Sequence, residues 1–303
     1  MTDIIVYVVN ALADILSDYP LTIIAVTLLI KFVLLPFDIH QRKNSRKQMA
    51  LTAEVADIRR RYKDPNQANQ KVQELYRKHK VSTLAGCLPL ALQLVFLFSF
   101  FSALRMLVAE QTSLFVIEAS ALGADAVELP KWLWINNFWQ PDSGFVSPMA
   151  NAEELLTFLN QNVKDLSPEH LMLMKQSGII EFTSEGLNVV ESVYMQLHDS
   201  VLAANGLTGI ANGWFGLPII TGVTTFLQQK LSMKNQPKMD EQTEATNNTM
   251  TYFMPFFSAA MCLSSNSGFA LYWAVSNIIT IIFTFIINAV FDAKEKKAAK
   301  AAL

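Results

Sequence analysis

A lysine lies inside one of the most apolar stretches of this chain. Residues 21–37 read LTIIAVTLLIKFVLLPF, and Lys31 is the one charged residue among them. Such a run is about long enough to cross the hydrocarbon core of a bilayer. A cation within it is costly, which by default indicates a functional site that faces protein or water. The alternative is a lysine whose long side chain reaches the headgroup layer, because Lys31 lies about 9 Å from the end of the run.

Other polar residues in the apolar segments differ in how they can be satisfied. Hydroxyl side chains bond to carbonyl groups of their own helix and join helices, so the serines and threonines are predicted to be mostly structural. A charge and an amide, Lys31 and Gln93, cannot be satisfied in that way. Only Asp38, Asp240 and Asp292 approach the span ends on that side, and none lies within a span. We therefore expect Lys31 to stand in a wet cavity that attracts acidic or polar segments.

Signatures of catalysis are missing from the sequence. It contains no G-x-x-x-x-G-K-[ST] phosphate loop and no H-E-x-x-H metal motif. All four histidines lie outside the predicted spans, so no intramembrane serine–histidine pair is expected. The two cysteines, Cys87 and Cys262, lie inside predicted spans and are interpreted as small buried side chains. The prediction is a protein that is not an enzyme and holds no cofactor or metal.

The elements that must position Lys31 follow from composition. Of 303 residues, 51% are hydrophobic and 17% are charged, whereas in a soluble domain about a quarter are charged. The apolar residues are gathered into long runs, which predicts an all-α integral membrane protein with five transmembrane helices. Its predicted segments are an N-terminal external amphipathic helix (1–19), five spans (20–37, 83–108, 214–231, 250–264 and 268–291), a cytoplasmic basic helical hairpin (38–82), an external loop (109–213) with a helical insertion at about 145–208, a cytoplasmic linker (232–249) and a basic cytoplasmic tail (292–303).

Charge is segregated along the chain in a way that predicts its orientation. Residues 38–80 hold twelve Lys and Arg against five acids, whereas residues 109–213 hold thirteen acids against three lysines. Basic segments beside a span favour the cytoplasm, which places the N-terminus outside and the C-terminus inside. The N-terminus has no basic region and no small-residue cleavage site, so no cleavable signal peptide is expected.

The two long polar segments carry helical patterns. In the basic segment, apolar residues recur in steps of 4, 3 and 4 from Leu51 and again from Ala68, and Asp64-Pro65 suits the start of the second helix. In the acidic segment, three helices are predicted: 151–163, one that opens at Ser167, and a third with Leu187, Val190, Tyr194, Leu197 and Val201 along one face. An aromatic cluster precedes them and suits the outer membrane interface: Trp132, Trp134, Phe138 and Trp139.

The order of these segments resembles the YidC/Oxa1/Alb3 membrane protein insertases. The resemblance lies in the motifs GCLPLALQ, WLWI, LPIITGVTTFLQQKLS and MTYFMPFF…SGFALYWAVSN, which follow a span and a basic hairpin. It covers roughly residues 20–140 and 212–291, and residues 145–208 look like an insertion. It implies a hydrophilic groove, open to cytosol and lipid, in which Lys31 stands where the family usually has arginine. It also implies groove or core-contact roles for Gln93, Gln228 and Trp273. Lysine keeps the charge but lacks the two-pronged geometry of arginine.

The resemblance implies an ATP-independent insertase and chaperone of a bacterial plasma (inner) membrane. A polar external segment of a nascent membrane protein would be held near Lys31, while its apolar segment enters lipid. The patch Arg59, Arg60 and Arg61 would contact the ribosome, the targeting machinery or the incoming chain; alternatively, this loop is solvated and only fixes topology. A Sec-type translocon and membrane lipids are further candidate partners, and DNA is not.

Two other functions are compatible with the sequence. The first is a dedicated assembly factor for one membrane complex, for which the external insertion would be the docking element. The second is a small-anion transporter that uses Lys31 as its anion site. A transporter of this kind is expected to show inverted repeats with broken helices, and the sequence has no such internal symmetry.

Overall fold

The computed structural model of the protein describes residues 2–82, 87–162, 166–184, 186–234 and 241–301, without the side chains of residues 87–93, 162, 234, 241–248, 298, 299 and 301. The described residues are mostly helical, which agrees with the predicted all-α class. The elements in chain order are α1 (Thr2–Leu16), α2 (Tyr19–Ala50), α3 (Thr52–Arg61), α4 (Pro65–Lys78), α5 (Cys87–Leu122), α6 (Ala152–Asn162), α7 (Pro168–Gln176), β1 (Ile180–Thr183), β2 (Gly186–Val189), α8 (Glu191–Ala204), α9 (Gly216–Lys234), α10 (Glu241–Leu263) and α11 (Ser267–Ala301).

Among the described residues, three helices are long and apolar enough to cross a membrane. They are α2, the Leu94–Leu122 part of α5 and the Ser267–Lys297 part of α11, and Thr249–Leu263 in α10 is a shorter apolar stretch. Helix α9 is not among the three, because glutamines and lysines in its second half lower its hydropathy. The predicted number of five spans is therefore not confirmed, although each of the five predicted segments contains a described helix.

The long helices continue past the ends predicted for the spans. Helix α2 extends to Ala50 instead of residue 37, and α5 extends to Leu122 instead of residue 108. A change from apolar to polar composition does not end a helix unless a breaking residue accompanies it. Arg, Lys, Gln and Ala, which are frequent after residue 37, are good helix formers. The hairpin is correspondingly shorter than predicted, since it comprises only α3 and α4.

The chain folds into two compact units. The first, which we call the loop unit, comprises Met1–Val26, Phe98–Thr221 and Phe257–Ala274. The second, which we call the hairpin unit, comprises Thr27–Leu97, Gly222–Phe256 and Val275–Leu303.

In the hairpin unit, α3 and α4 form a helix pair whose connection matches the sequence prediction. The side chain of Asp64 accepts a hydrogen bond from the backbone N–H of Asn66 at 3.0 Å, and Pro65 is the first residue of α4. The base of the pair is closed by Asn44, which donates to the carbonyl of Ser82 at 2.7 Å and accepts from its N–H at 3.0 Å. Since Asn44 is buried, these bonds fasten the end of the hairpin to α2.

In the loop unit, the extension of α5 shares an apolar core with α6 to α8. Ala109 and Val116 of α5 are buried with Leu155, Leu159 and Tyr194. Farther along α5, a second cluster joins Ala119 to residues of the following loop and of α8: Val127, Leu129, Val201 and Leu202. Burial of this side of α5 explains why the helix continues beyond the predicted span. The described residues of the predicted insertion thus pack on α5.

The third helix predicted for the acidic segment begins later than expected. Leu187 lies in β2, and α8 begins at Glu191. Strands β1 and β2 form an antiparallel hairpin in which Ile180 pairs with Val189. The tight connection uses Gly186 at φ +126°, a backbone conformation open to glycine. Branched side chains at these paired positions favour extended structure over a further helical turn.

Candidate functional site

Lys31 is buried in the hairpin unit. Only 6% of its surface is exposed, and its amine donates a hydrogen bond to the hydroxyl of Thr280 on α11 at 2.9 Å. That hydroxyl donates in turn to the carbonyl of Ser276 at 2.8 Å, so its oxygen lone pairs are free to receive the amine. Of the two interpretations open from sequence, this geometry favours the side chain that faces protein.

Charges follow Lys31 along one face of α2. Asp38 and Arg42 lie seven and eleven residues after Lys31, which returns them to the same side of a helix. Asp38 interacts electrostatically with both cations, and the guanidinium of Arg42 donates to the hydroxyl of Thr284 at 2.6 Å. Asp38 is thus an acidic neighbour of Lys31 along the helix, although no ion pair between them occurs among the described residues. Because α2 continues beyond Phe37, Asp38 stays on the helical face that carries Lys31.

A second polar contact joins α9 to α11 within the same unit. Asn277, which is buried, donates to the hydroxyls of Thr225 at 2.9 Å and of Thr224 at 3.2 Å. Threonine hydroxyls thus accept hydrogen bonds from Lys31, Arg42 and Asn277. This use agrees with the prediction that most hydroxyls in the apolar helices join neighbouring helices. Among the described residues, the hydrogen-bond partners of Lys31 and Arg42 are such neutral hydroxyls, and neither cation forms an ion pair.

The remaining residues predicted for the groove are placed as follows. Gln228 is half-buried on α9 in the hairpin unit, whereas Trp273 belongs to the loop unit and packs edge-on against Phe269 with ring centroids 5.5 Å apart. The side chain of Gln93 lies outside the described residues. The assembly of Lys31, Gln93, Gln228 and Trp273 into one groove therefore stays a prediction.

The predicted arginine patch is exposed at the end of α3. Arg59, Arg60 and Arg61 occupy its last turn, where cations interact favourably with the negative end of the helix dipole. Since the side chains of the patch are exposed, it can bind an anionic partner without rearrangement of the helix. Contact with any particular partner stays a prediction.

Sequence reasoning missed the most strongly bonded carboxylate of the loop unit, Asp142. It is fully buried and accepts four hydrogen bonds: from the indole N–H of Trp134 at 2.9 Å and from the backbone N–H groups of Trp214 at 3.0 Å, Phe215 at 3.1 Å and Leu217 at 2.6 Å. These donors surround the first turn of α9, where unpaired N–H groups favour a carboxylate. Asp142 therefore fixes the start of this helix.

Two glycines make this arrangement possible. A Cβ atom on Gly213 would overlap Oδ1 of Asp142, and one on Gly216 would lie 2.6 Å from Cε2 of Trp134. Phe138 and Trp139 are also fully buried, so the interpretation of the whole aromatic cluster as a surface belt is wrong for these two rings. The signal available in the sequence is the pair of glycines on either side of Trp214-Phe215.

A serine and a histidine meet at the C-terminal part of α5, beyond the predicted span, so the pair is not the intramembrane one that the sequence argues against. The hydroxyl of Ser113 lies 3.2 Å from Nδ1 of His170. Ser113 is fully buried, however, and donates its proton to the carbonyl of Glu110 at 2.8 Å. A nucleophile must be reached by substrate and must pass its proton to the base, so this pair packs α7 against α5. Among the described residues, no cluster of three metal ligands occurs.

Three described helices have the length of a membrane span, and one of them carries a buried lysine that is bound to a hydroxyl. These features define a polytopic helical membrane protein with a polar interior. The chain belongs to the 60Kd inner membrane protein family, the YidC/Oxa1 family, whose model matches residues 11–295. This confirms the resemblance seen in the sequence.

Relatives similar to this chain carry the name membrane protein insertase. A YidC of Fusobacterium nucleatum is 32% identical over 162 residues, which cover 53% of this chain and 69% of the relative. MisCA of Bacillus subtilis is 24% identical over 306 residues, 99% of this chain and 81% of the relative. A YidC of Clostridium perfringens is 30% identical over 137 residues, and the matched part spans half the length of that relative.

Proposed function

We propose that the chain is a membrane protein insertase that holds a polar segment of a nascent membrane protein at Lys31. The observation that carries the proposal is the state of this lysine: a buried amine whose described hydrogen-bond partner is the neutral hydroxyl of Thr280. A hydroxyl satisfies an ammonium less well than a carboxylate does. An acidic side chain of a substrate therefore gains a charge-assisted hydrogen bond there, at the expense of one neutral contact.

The energetics of insertion need no nucleotide in this mechanism. The apolar segment of the substrate moves from water into lipid, which is favourable by roughly 25 cal/mol per Å² of apolar surface. Asp38 and Arg42 on the same face of α2 extend the polar track toward the helix end. A polar segment of the substrate can exchange one polar side chain on this face for the next. Because these side chains bind it with similar strength, each exchange is reversible.

The proposed orientation places the N-terminus outside and the hairpin and C-terminus in the cytoplasm of a bacterium. The basic composition around α3 and α4 supports it through the positive-inside tendency. In this orientation the exposed patch Arg59, Arg60 and Arg61 faces the side on which proteins are made. The ribosome, a Sec-type translocon and the incoming chain are its candidate partners.

The proposal is tested by reconstitution of the protein into liposomes with a single-span substrate that bears an acidic external segment. Lys31→Ala is expected to reduce insertion at least tenfold, which corresponds to loss of about 1.4 kcal/mol of binding. Lys31→Arg is expected to retain most of it, since the charge remains. Lys230→Ala is the matched control, because Lys230 is an exposed lysine on α9 that packs over Phe226 and Tyr252.

Three outcomes separate the alternatives. Equal insertion by all variants would contradict the role of Lys31 as a substrate contact. Insertion that is insensitive to the charge of the substrate segment would contradict acidic recognition. Failure of the native protein on every substrate tested would instead favour a dedicated assembly factor. Deletion of residues 145–208 is not a clean test of that alternative, because it would expose the shared core on α5.

A further inference from the structure

The loop unit contains a cavity of about 640 Å³ that the proposed insertase mechanism does not use. Four parts of the unit line it: α5, the segment around residues 139–150, one side of α6 along most of its length, and the turn between α10 and α11. Its volume is in the range of small-molecule sites. A cavity of this size accommodates a headgroup with the upper part of an acyl chain but not a long peptide.

The cavity is lined by an apolar wall and by side chains of opposite charge. Phe101, Val108 and Phe158 provide apolar surface, Arg105 provides a cation, and Glu153 provides a carboxylate. In the part of the chain that the structure describes, Arg105 forms no ion pair, and its guanidinium donates to the side-chain carbonyl of Gln161 at 2.5 Å. Most of its five donors are thus left to a ligand.

The position of Arg105 along α5 sets the depth of the cavity. It lies three residues before the predicted outer end of the span at Val108, about 4.5 Å along the helix. In the proposed orientation this is the level of the outer headgroup layer. Arginine binds phosphate there through parallel hydrogen bonds, and a carboxylate in the same cavity favours an ammonium group.

We propose that this cavity binds a phospholipid of the outer leaflet whose headgroup carries a primary amine, with the phosphate at Arg105 and the amine at Glu153. The apolar wall of α5 and α6 receives the upper part of one acyl chain. The lipid would fill the space between α5 and α6 and thereby stabilise the loop unit. This inference uses the proposed orientation but does not depend on insertase activity.

The experiment is native mass spectrometry of the full-length protein titrated with phosphatidylethanolamine, with phosphatidylglycerol and with soluble glycerophosphoethanolamine. Phosphatidylethanolamine is expected to bind most tightly. Arg105→Gln and Glu153→Gln are each expected to weaken it about tenfold, and Lys131→Gln, an exposed lysine of the same unit that does not line the cavity, to leave it unchanged. Glu153 is itself exposed, so its variant tests the site without disturbing the core.

The other outcomes would overturn the inference. Equal binding of phosphatidylglycerol with no effect of Glu153→Gln would indicate a simple anion site. Equal binding of the soluble headgroup would remove the role of the apolar wall. A substrate peptide crosslinked at Arg105, with no lipid displaced, would assign the cavity to the translocated chain.

Discussion

The loop unit and the hairpin unit bury polar groups in opposite ways. In the loop unit, Asp142 is surrounded by an indole and three backbone N–H groups, donors that cannot move without unfolding a helix start. In the hairpin unit, the described hydrogen-bond acceptors for Lys31 and Arg42 are the hydroxyls of Thr280 and Thr284. Backbone donors specify one arrangement, whereas a hydroxyl on a rotatable bond can exchange one partner for another. The comparison separates a fixed scaffold from helix contacts whose polar partners can exchange.

The largest effect is expected for Asp142→Ala. It leaves three backbone N–H groups and one indole N–H without their acceptor, and each unsatisfied buried donor costs about 1–3 kcal/mol. We expect a loss of more than about 4 kcal/mol in unfolding free energy, measured by denaturation in detergent micelles. Asp125→Ala, at an exposed acid of the same unit, should change it by less than about 0.5 kcal/mol. A small effect of Asp142→Ala would contradict the interpretation of this carboxylate as part of a fixed scaffold.

Gly216→Ala tests whether the start of α9 is as tightly packed as the distances indicate. The added Cβ would lie 2.6 Å from Cε2 of the Trp134 ring, which we expect to cost about 2–3 kcal/mol of overpacking. Replacement of Trp134 by leucine as well should recover part of this loss, because the clashing ring atoms are then absent. Strict additivity of the two changes in a double-mutant cycle would contradict the clash.

Tyr194→Phe is expected to lower the free energy of unfolding by about 1 kcal/mol. The hydroxyl of this buried residue donates to the carbonyl of Ala150 at 2.7 Å, a single neutral bond within the loop unit. Burial also raises the pKa of Tyr194 above its ordinary value, with a smaller contribution from Glu154. The folded protein therefore keeps a proton that the unfolded chain loses above about pH 10.

The stability supplied by Tyr194 is accordingly present below about pH 10 and declines as the pH rises above it. The phenylalanine variant should lack this part of the decline. Hydrogen exchange of α8 between about pH 9 and pH 11, corrected for the intrinsic rate, measures the difference, and parallel profiles for both proteins would show that the phenol does not contribute.

The smallest effect on stability is expected for Lys31→Met. Replacement of a buried charge by an apolar side chain of similar length is often neutral or stabilising, so the unfolding free energy should change by less than about 1 kcal/mol. Insertion by the same variant should fall at least tenfold, as for Lys31→Ala. A variant that lost stability as heavily as Asp142→Ala would instead place Lys31 in the scaffold.

Local features of the fold were predictable from sequence, and distant contacts were not. The start of α4 at Asp64-Pro65 and the cap of α7 by Ser167 depend on residues within one helical turn. The β-hairpin beside α8 was missed because Leu187 and Val190 fit a helical spacing as well as an extended one. The backbone partners of Asp142 lie more than seventy residues away in the chain. Periodicity in the sequence is a local signal and does not indicate contacts at that separation.

Composition alone was enough to predict a helical membrane protein with a cation in its first apolar run, because hydrophobic transfer requires long apolar runs to be buried or in lipid. The sequence also determined the family through the order of its motifs. The three-dimensional structure was needed to show that the amine of Lys31 faces Thr280, that Asp38 shares its helical face, and that α5 extends into the core of the loop unit. These outcomes depend on which side chains meet across helices, and such contacts follow from packing, not from local composition.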